Sequence, residues 1–397
     1  RGFLRNYALH LGLDSDELAD LHFPKLDGQR ARRETIIAPQ AGTSPVRRST
    51  LGTDALLGLV IIALLVLALF SVYQRQNQVA APPTAELPPT PTVTPMPVYE
   101  GTAYTMDVHL NYGEHRLDVR ERIDYTNATS ETLPNLMLNV HPNHSRGTFE
   151  LNDIRLDLAG ELIQPEVFPL DVTLRVELPR DLRPDEHVAL YLDFSLNLPK
   201  ISPDEEFSGG GFGYSKQAVS LGNWYPVLAP HRGEEGWYGL KYFPVGDPYV
   251  TEVADYSVTI TTTEDVIIAG TGQETHTGNR WQYEAKQART FAFAASKDYL
   301  VSTAQAGGGE GPAVHSYYFA NNEEAGEAVL ETATQAMDLF IELYGPYPYG
   351  DYRIAETQFA GGMEFSGMTF LGSALYDQYD GSSRTPLIPL TAHVVSH

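Results

Sequence analysis

Gly361-Gly362-Met363-Glu364-Phe365-Ser366-Gly367 and, at the end of the sequence, Thr391-Ala392-His393-Val394-Val395-Ser396-His397 place one carboxylate and two histidines in otherwise apolar, glycine-flanked surroundings. An ionised glutamate is costly there without a partner, which marks Glu364 as a candidate functional group. Val394 and Val395 ahead of Ser396-His397 read as a buried helix that reaches a polar site at its end. A metal-ligating histidine would stand at such a position, and His397 is the candidate.

Working outward, 397 residues suffice for two or three domains, and Arg1 in place of Met suggests a sequence cut at both ends. Positions 1–100 hold 9 Lys/Arg and 9 Asp/Glu, so the formal charge of −24 falls entirely in 101–397. Nucleic-acid binding by that acidic part is excluded, because phosphate contacts need a basic footprint. The absence of cysteine removes disulfides, thiolate-bound zinc and a thiol nucleophile, and leaves a His/Glu metal site open.

Residues 55–74 (ALLGLVIIALLVLALFSVYQ) carry no charge between Asp54 and Arg75. At about 1.5 Å per residue such a helix spans a hydrocarbon core of roughly 30 Å. Basic residues concentrate before it, at Lys25, Arg30, Arg32, Arg33, Arg47 and Arg48, so the N-terminal part is expected in the cytoplasm and the C-terminal bulk outside.

Residues 1–25 read as two short helices, the first striped by Phe3, Leu4, Tyr7, Ala8 and Leu11, the second capped by Asp14. A basic juxtamembrane linker (26–54), the membrane helix (55–74) and a proline- and threonine-rich stalk (75–100) follow. From 101 to 305 period-two runs such as Tyr104–Leu110, Leu117–Tyr125, Val188–Leu196 and Tyr256–Thr262 specify an antiparallel sandwich or saddle-like sheet. Ser208–Gly213 lacks the Lys-Ser/Thr of a phosphate loop and reads as a hairpin loop or lid. Gly307-Gly308-Gly309 reads as an interdomain break. A strand over Val314–Phe319 and a helix from Asn321 or Asn322 to Tyr344, with Ala325, Val329, Ala336, Phe340 and Leu343 on one face, then open a new domain at 306–397.

The run Tyr344-Gly345-Pro346-Tyr347-Pro348-Tyr349, then Arg353-Ile354-Ala355 and Gly361-Gly362-Met363-Glu364, with His397 33 residues beyond Glu364, resembles the membrane alanyl aminopeptidase family of zinc metallopeptidases, the gluzincins. Gly222-Asn223-Trp224-Tyr225-Pro226 and Phe291-Ala292-Phe293-Ala294 are similar to that family's β-saddle N-terminal domain. The resemblance implies a β-rich aminopeptidase domain at 101–305 and the beginning of a thermolysin-like α/β catalytic domain at 306–397. It further implies peptide substrates held by Gly361, Gly362, Met363 and Glu364, and Zn2+ on His397 with a general base just after it. Glycines 361 and 362 would let a substrate backbone pair with an edge strand, and Glu364 would hold its α-ammonium. Phe365 stands where the family has Asn. A rival register pairs His393 with His397 as metal ligands, with Val394 in the base position; neither register completes a zinc site.

Arg1-Gly2-Phe3-Leu4-Arg5-Asn6-Tyr7-Ala8 with Leu11-Gly12-Leu13-Asp14 resembles the end of the cytoplasmic helix-turn-helix domain of RodZ-type bacterial proteins. Two expectations follow: a membrane-anchored zinc aminopeptidase whose present stretch is inactive by itself, or a non-catalytic RodZ-like adaptor with a cytoskeletal partner and a peptidase-shaped binding ectodomain.

Overall fold

The computed structural model describes residues 101–201, 211–239 and 250–397. The expected cytoplasmic helices, linker, membrane segment and stalk (1–100), and positions 208–210 of the glycine-rich loop, lie outside the described residues. Among the described residues no helix is long and apolar enough to cross a membrane.

Alternation of apolar and polar side chains builds the first sheets. In Thr102–Asn111, Tyr104, Met106, Val108 and Leu110 are buried while Thr105, Asp107 and His109 are exposed, as the two-residue strand period requires. This strand lies inside an eight-stranded sheet ordered Gln273–Thr277, Arg280–Ala288, Ala254–Thr262, Thr102–Asn111, Arg116–Thr126, His187–Asn197, Phe149–Leu158 and Glu161–Ile163. Only the pairing of Thr102–Asn111 with Ala254–Thr262 is parallel. Two four-stranded sheets complete this β-rich part, one running from Ile267–Gly270 to Phe212–Tyr214, the other from Val227–Leu228 to Val167–Leu170. One core joins the three sheets. Trp224 and Tyr225 fill its centre; the Trp224 indole donates to the Phe291 carbonyl (3.2 Å) and the Tyr225 hydroxyl accepts from the Phe291 N–H (3.0 Å).

Glu121 interrupts the apolar face of Arg116–Thr126. It stands between Met106 and Leu192 on the neighbouring strands, is 2% exposed, and neither carboxylate oxygen has a hydrogen-bond partner. Burial pushes its pKa well above the usual carboxylate range, so the folded protein holds it neutral. A folded pKa above the unfolded one gives stability that is fully present below the unfolded pKa and lost as pH rises towards the folded pKa, at about 1.4 kcal/mol per pH unit. Glu121→Leu should therefore remove a falling component of the stability profile between pH 5 and 8 and raise stability at pH 8 by about 1–3 kcal/mol. Urea titrations at both pH values check this; an unchanged slope would place the carboxyl in contact with water.

The second module is a five-stranded mixed sheet ordered Tyr299–Gln305, Ala313–Phe319, Asp351–Thr357, Met368–Gly372 and Gly362–Phe365. It begins at Tyr299, one strand earlier than position 306. Gly307, Gly308 and Gly309, all at positive φ (64°, 65° and 98°), turn the hairpin between its first two strands and so sit inside one sheet. The helix Glu323–Tyr344 packs on this sheet through Ala325, Val329 and Ala336, and Leu343, expected on the same stripe, is 40% exposed instead. Asn322 occupies the N-cap position without capping. Its amide donates to the buried Glu356 carboxylate (2.7 Å) and to Asp377 (3.2 Å), because a carboxylate taken out of water needs donors more than a helix end that water reaches.

Arg353 fastens the second sheet to the β-rich part. Its guanidinium, 3% exposed, donates to the carbonyls of Gly270 (3.2 Å) and Gly272 (2.6 Å), with Asp351 at 3.4 Å and Glu274 at 3.8 Å.

Candidate active site

The Gly362–Phe365 strand is the last in its sheet and pairs on one side only, antiparallel to Met368–Gly372 across the Ser366-Gly367 turn. Gly361 takes φ +90°, a region open to glycine, and its carbonyl accepts from the Gly372 N–H (2.8 Å). A Cβ on Gly362 would press on Leu371 and on Val394 at 3.2 Å, whereas one on Gly361 would meet open space. Gly362 thus admits the helix Leu387–Val395 against the edge strand, a packing role that its sequence context did not disclose.

That helix delivers His397 to Glu364. Nδ1 of His397 lies 2.6 Å from Oε1 of Glu364, both side chains being partly exposed at 44% and 34%. His393, one turn back, meets the His397 ring edge to face with centroids 4.5 Å apart. Below them Tyr352 is buried, its hydroxyl 2.7 Å from Thr369 Oγ1. Its pKa is raised by burial first and by the Glu364 charge in addition. Phe365 packs edge on against Phe370 (5.1 Å), so the side chain that replaces the polar Asn of the resemblance joins the apolar layer beneath the strand.

Glu364, Phe365 and His397 form one wall of a cleft of about 730 Å³, with Tyr347 and Tyr349 beside them and Asn223, Thr251 and Arg289 opposite. Two bonds stitch the floor across the two modules, the Arg289 N–H donating to Ser366 Oγ (2.9 Å) and the Tyr349 hydroxyl to the Gln287 carbonyl (3.0 Å), while the Arg289 guanidinium donates to the Thr251 carbonyl (2.9 Å) within the β-rich part. The structure therefore brings together Gly361, Gly362, Met363, Glu364 and His397, and adds Tyr352 and Arg289. Neither addition bore a local signal, since Tyr352 reaches the cleft through its place in the sheet and Arg289 through contacts with Ser366 and Thr251, distant in the chain.

Zinc sites take at least three protein ligands. Among the described residues no group of three or more His, Cys, Asp or Glu is placed to hold a metal ion. His397, with Nδ1 engaged by Glu364, offers Nε2 alone, so these residues do not make up a complete zinc site. Chemically the arrangement is an acceptor: a carboxylate at an unpaired strand edge, facing a cleft.

No protein-family model matches the sequence, and no curated protein matches it. The structural neighbours are M1 zinc metallopeptidases. A two-domain M1 zinc metallopeptidase variant bound to L-arginine aligns at TM-score 0.49 and 16% identity, covering 75% of this chain and 65% of that one. A variant from Deinococcus radiodurans aligns at 0.49 and 15%, covering 75% and 64%, and the metallopeptidase from the same organism at 0.47 and 16%, covering 69% and 61%. The chain spans less than two thirds of the length of each.

Proposed function

We propose that the chain carries the substrate-binding part of a membrane-anchored zinc aminopeptidase, a peptidase that removes residues from the N-terminus of peptides. The observation that carries this reading is Glu364, held at an unpaired strand edge in the cleft with a donor, His397 Nδ1, 2.6 Å from its oxygen. An extended peptide would add to the free edge of Gly362–Phe365 through backbone hydrogen bonds, while pockets beside the strand take its side chains. Its α-ammonium would displace His397 and donate to Glu364, a charge-assisted contact that counts the chain from its free end. Tyr352 and Thr369 hold the sheet beneath that carboxylate in place. Residues 55–74 would anchor the protein, with 1–54 in the cytoplasm and 101–397 outside. The reading calls for a zinc site that includes His397 and further ligands that the described residues do not supply.

The protein at its full natural length should release the first residue from aminoacyl-4-nitroanilides and leave their N-acetylated forms intact. A zinc chelator should abolish release, and added zinc should restore it. Release that ignores the chelator would overturn the peptidase reading, and a complete lack of release would favour a RodZ-like adaptor with a binding ectodomain.

A further inference from the structure

A second pocket, of about 330 Å³, opens at the far end of the strand Arg116–Thr126, and no part of it belongs to the cleft at Glu364. The loop that builds it is short. Gly233 and Gly236, at φ 55° and 74°, turn the chain so that His231 and Trp237 bridge as antiparallel partners. The Trp237 indole donates to the Asn135 carbonyl (3.1 Å), which fixes the ring, and the His231 ring meets it edge to face at 4.9 Å. Tyr125 closes the aromatic side, 6.2 Å from Trp237 between centroids.

Three features point to an occupant. First, the His231 side chain is 7% exposed and its Nδ1 has no hydrogen-bond partner, although it lines the pocket. Nε2 lies 3.9 Å from a Glu131 oxygen, and in the tautomer that carries its proton on Nε2 the buried Nδ1 is an acceptor that a ligand N–H would satisfy. Second, the charge facing the pocket is acidic. Glu252 lines it, Glu131 stands behind His231, and neither Lys nor Arg is among the described lining residues. Arg232 is turned aside, with its guanidinium over the Tyr238 ring at 3.6 Å. Third, Tyr125 and Trp237 both line the pocket, and an aromatic ring attracts a cation through its quadrupole.

We propose that this pocket binds an organic cation bearing N–H donors, a primary ammonium or guanidinium, between Trp237, the Nδ1 of His231 and the carboxylate of Glu252. The tyrosine agrees: the Tyr125 hydroxyl is pushed up to about 12, by burial first and then by the negative charge of Glu252. A free amine and the side chain of a basic peptide share this chemistry.

The test is run in a Glu364→Gln background, so that the carboxylate of the cleft takes no part. Titration with n-butylammonium and methylguanidinium, followed by tryptophan fluorescence and calorimetry, should saturate, whereas butyrate should not bind. Tetramethylammonium, a cation without N–H donors, should bind at least about tenfold more weakly. Glu252→Gln, a change at an exposed position, should weaken butylammonium by about tenfold, and His231→Phe should weaken it similarly while circular dichroism stays unchanged. Tighter binding of an N-acetyl-lysine tripeptide amide than of butylammonium would identify a peptide as the source, and equal binding a free amine. No saturable binding, butyrate binding as well as butylammonium, or indifference to Glu252→Gln would overturn the proposal.

Discussion

Under the proposed aminopeptidase reading, Glu364→Gln should lower kcat/KM towards aminoacyl substrates by about 30- to 1000-fold. Truncating one partner of a hydrogen-bonded charge pair that a bound peptide would shield from water costs about 2–4 kcal/mol, and each 1.4 kcal/mol is a factor of ten. Glutamine keeps the size and one acceptor oxygen, so the strand and its pairing with Met368–Gly372 survive and the loss reports charge alone. The effect depends on the substrate amine. Because an α-ammonium titrates at about 7.7–8.0, wild-type kcat/KM should decline above that pH, and the variant should lose most of that decline. Equal losses on free and N-blocked substrates would mean that Glu364 does not recognise the amine.

Arg353→Leu should be the most damaging substitution for stability, at about 3–5 kcal/mol, lowering Tm by about 10 °C. Its guanidinium is the donor to the Gly270 and Gly272 carbonyls and lies between Asp351 and Glu274. Without it these groups stay buried and lose their cation. Asp351 adds a pH signature, since His315 first and Arg353 in addition hold its carboxyl below the usual range. Such a depressed pKa gives stability that is present above the unfolded value and lost as pH falls, so the variant should show a weaker loss on acidification. Arg353→Lys should recover only part, because an ammonium cannot reach two carbonyls and two carboxylates from one fork. The exposed pair Arg155–Asp153 (2.8 Å) is the control, with Arg155→Ala costing under about 1 kcal/mol. A thermal melt decides the matter; equal effects of the two substitutions would remove Arg353 from its place at the junction.

The strands were legible because alternation is local: Tyr104–Leu110 states its own buried face. Glu364 was legible for a related reason, as a carboxylate among glycines and apolar residues. The helix Glu323–Tyr344 was also legible, but the behaviour of Asn322 was not. Whether that side chain caps its own helix or serves Glu356 depends on a strand 34 residues away. Gly307–Gly309 misled as an interdomain break, since a flexible run reads alike between modules and within a hairpin.

By itself the sequence determined the strand periodicity, the glycine-flanked Glu364 and the apolar approach to His397, all patterns set by the chemistry of residues near one another along the chain. Only the tertiary structure decided that Gly362 exists to admit Val394, that His397 lies against Glu364, that Arg353 fastens two modules, and that His231 keeps a buried acceptor beside Trp237 and Glu252. Each of these depends on long-range pairing, where burial and charge are fixed by residues far apart in the chain.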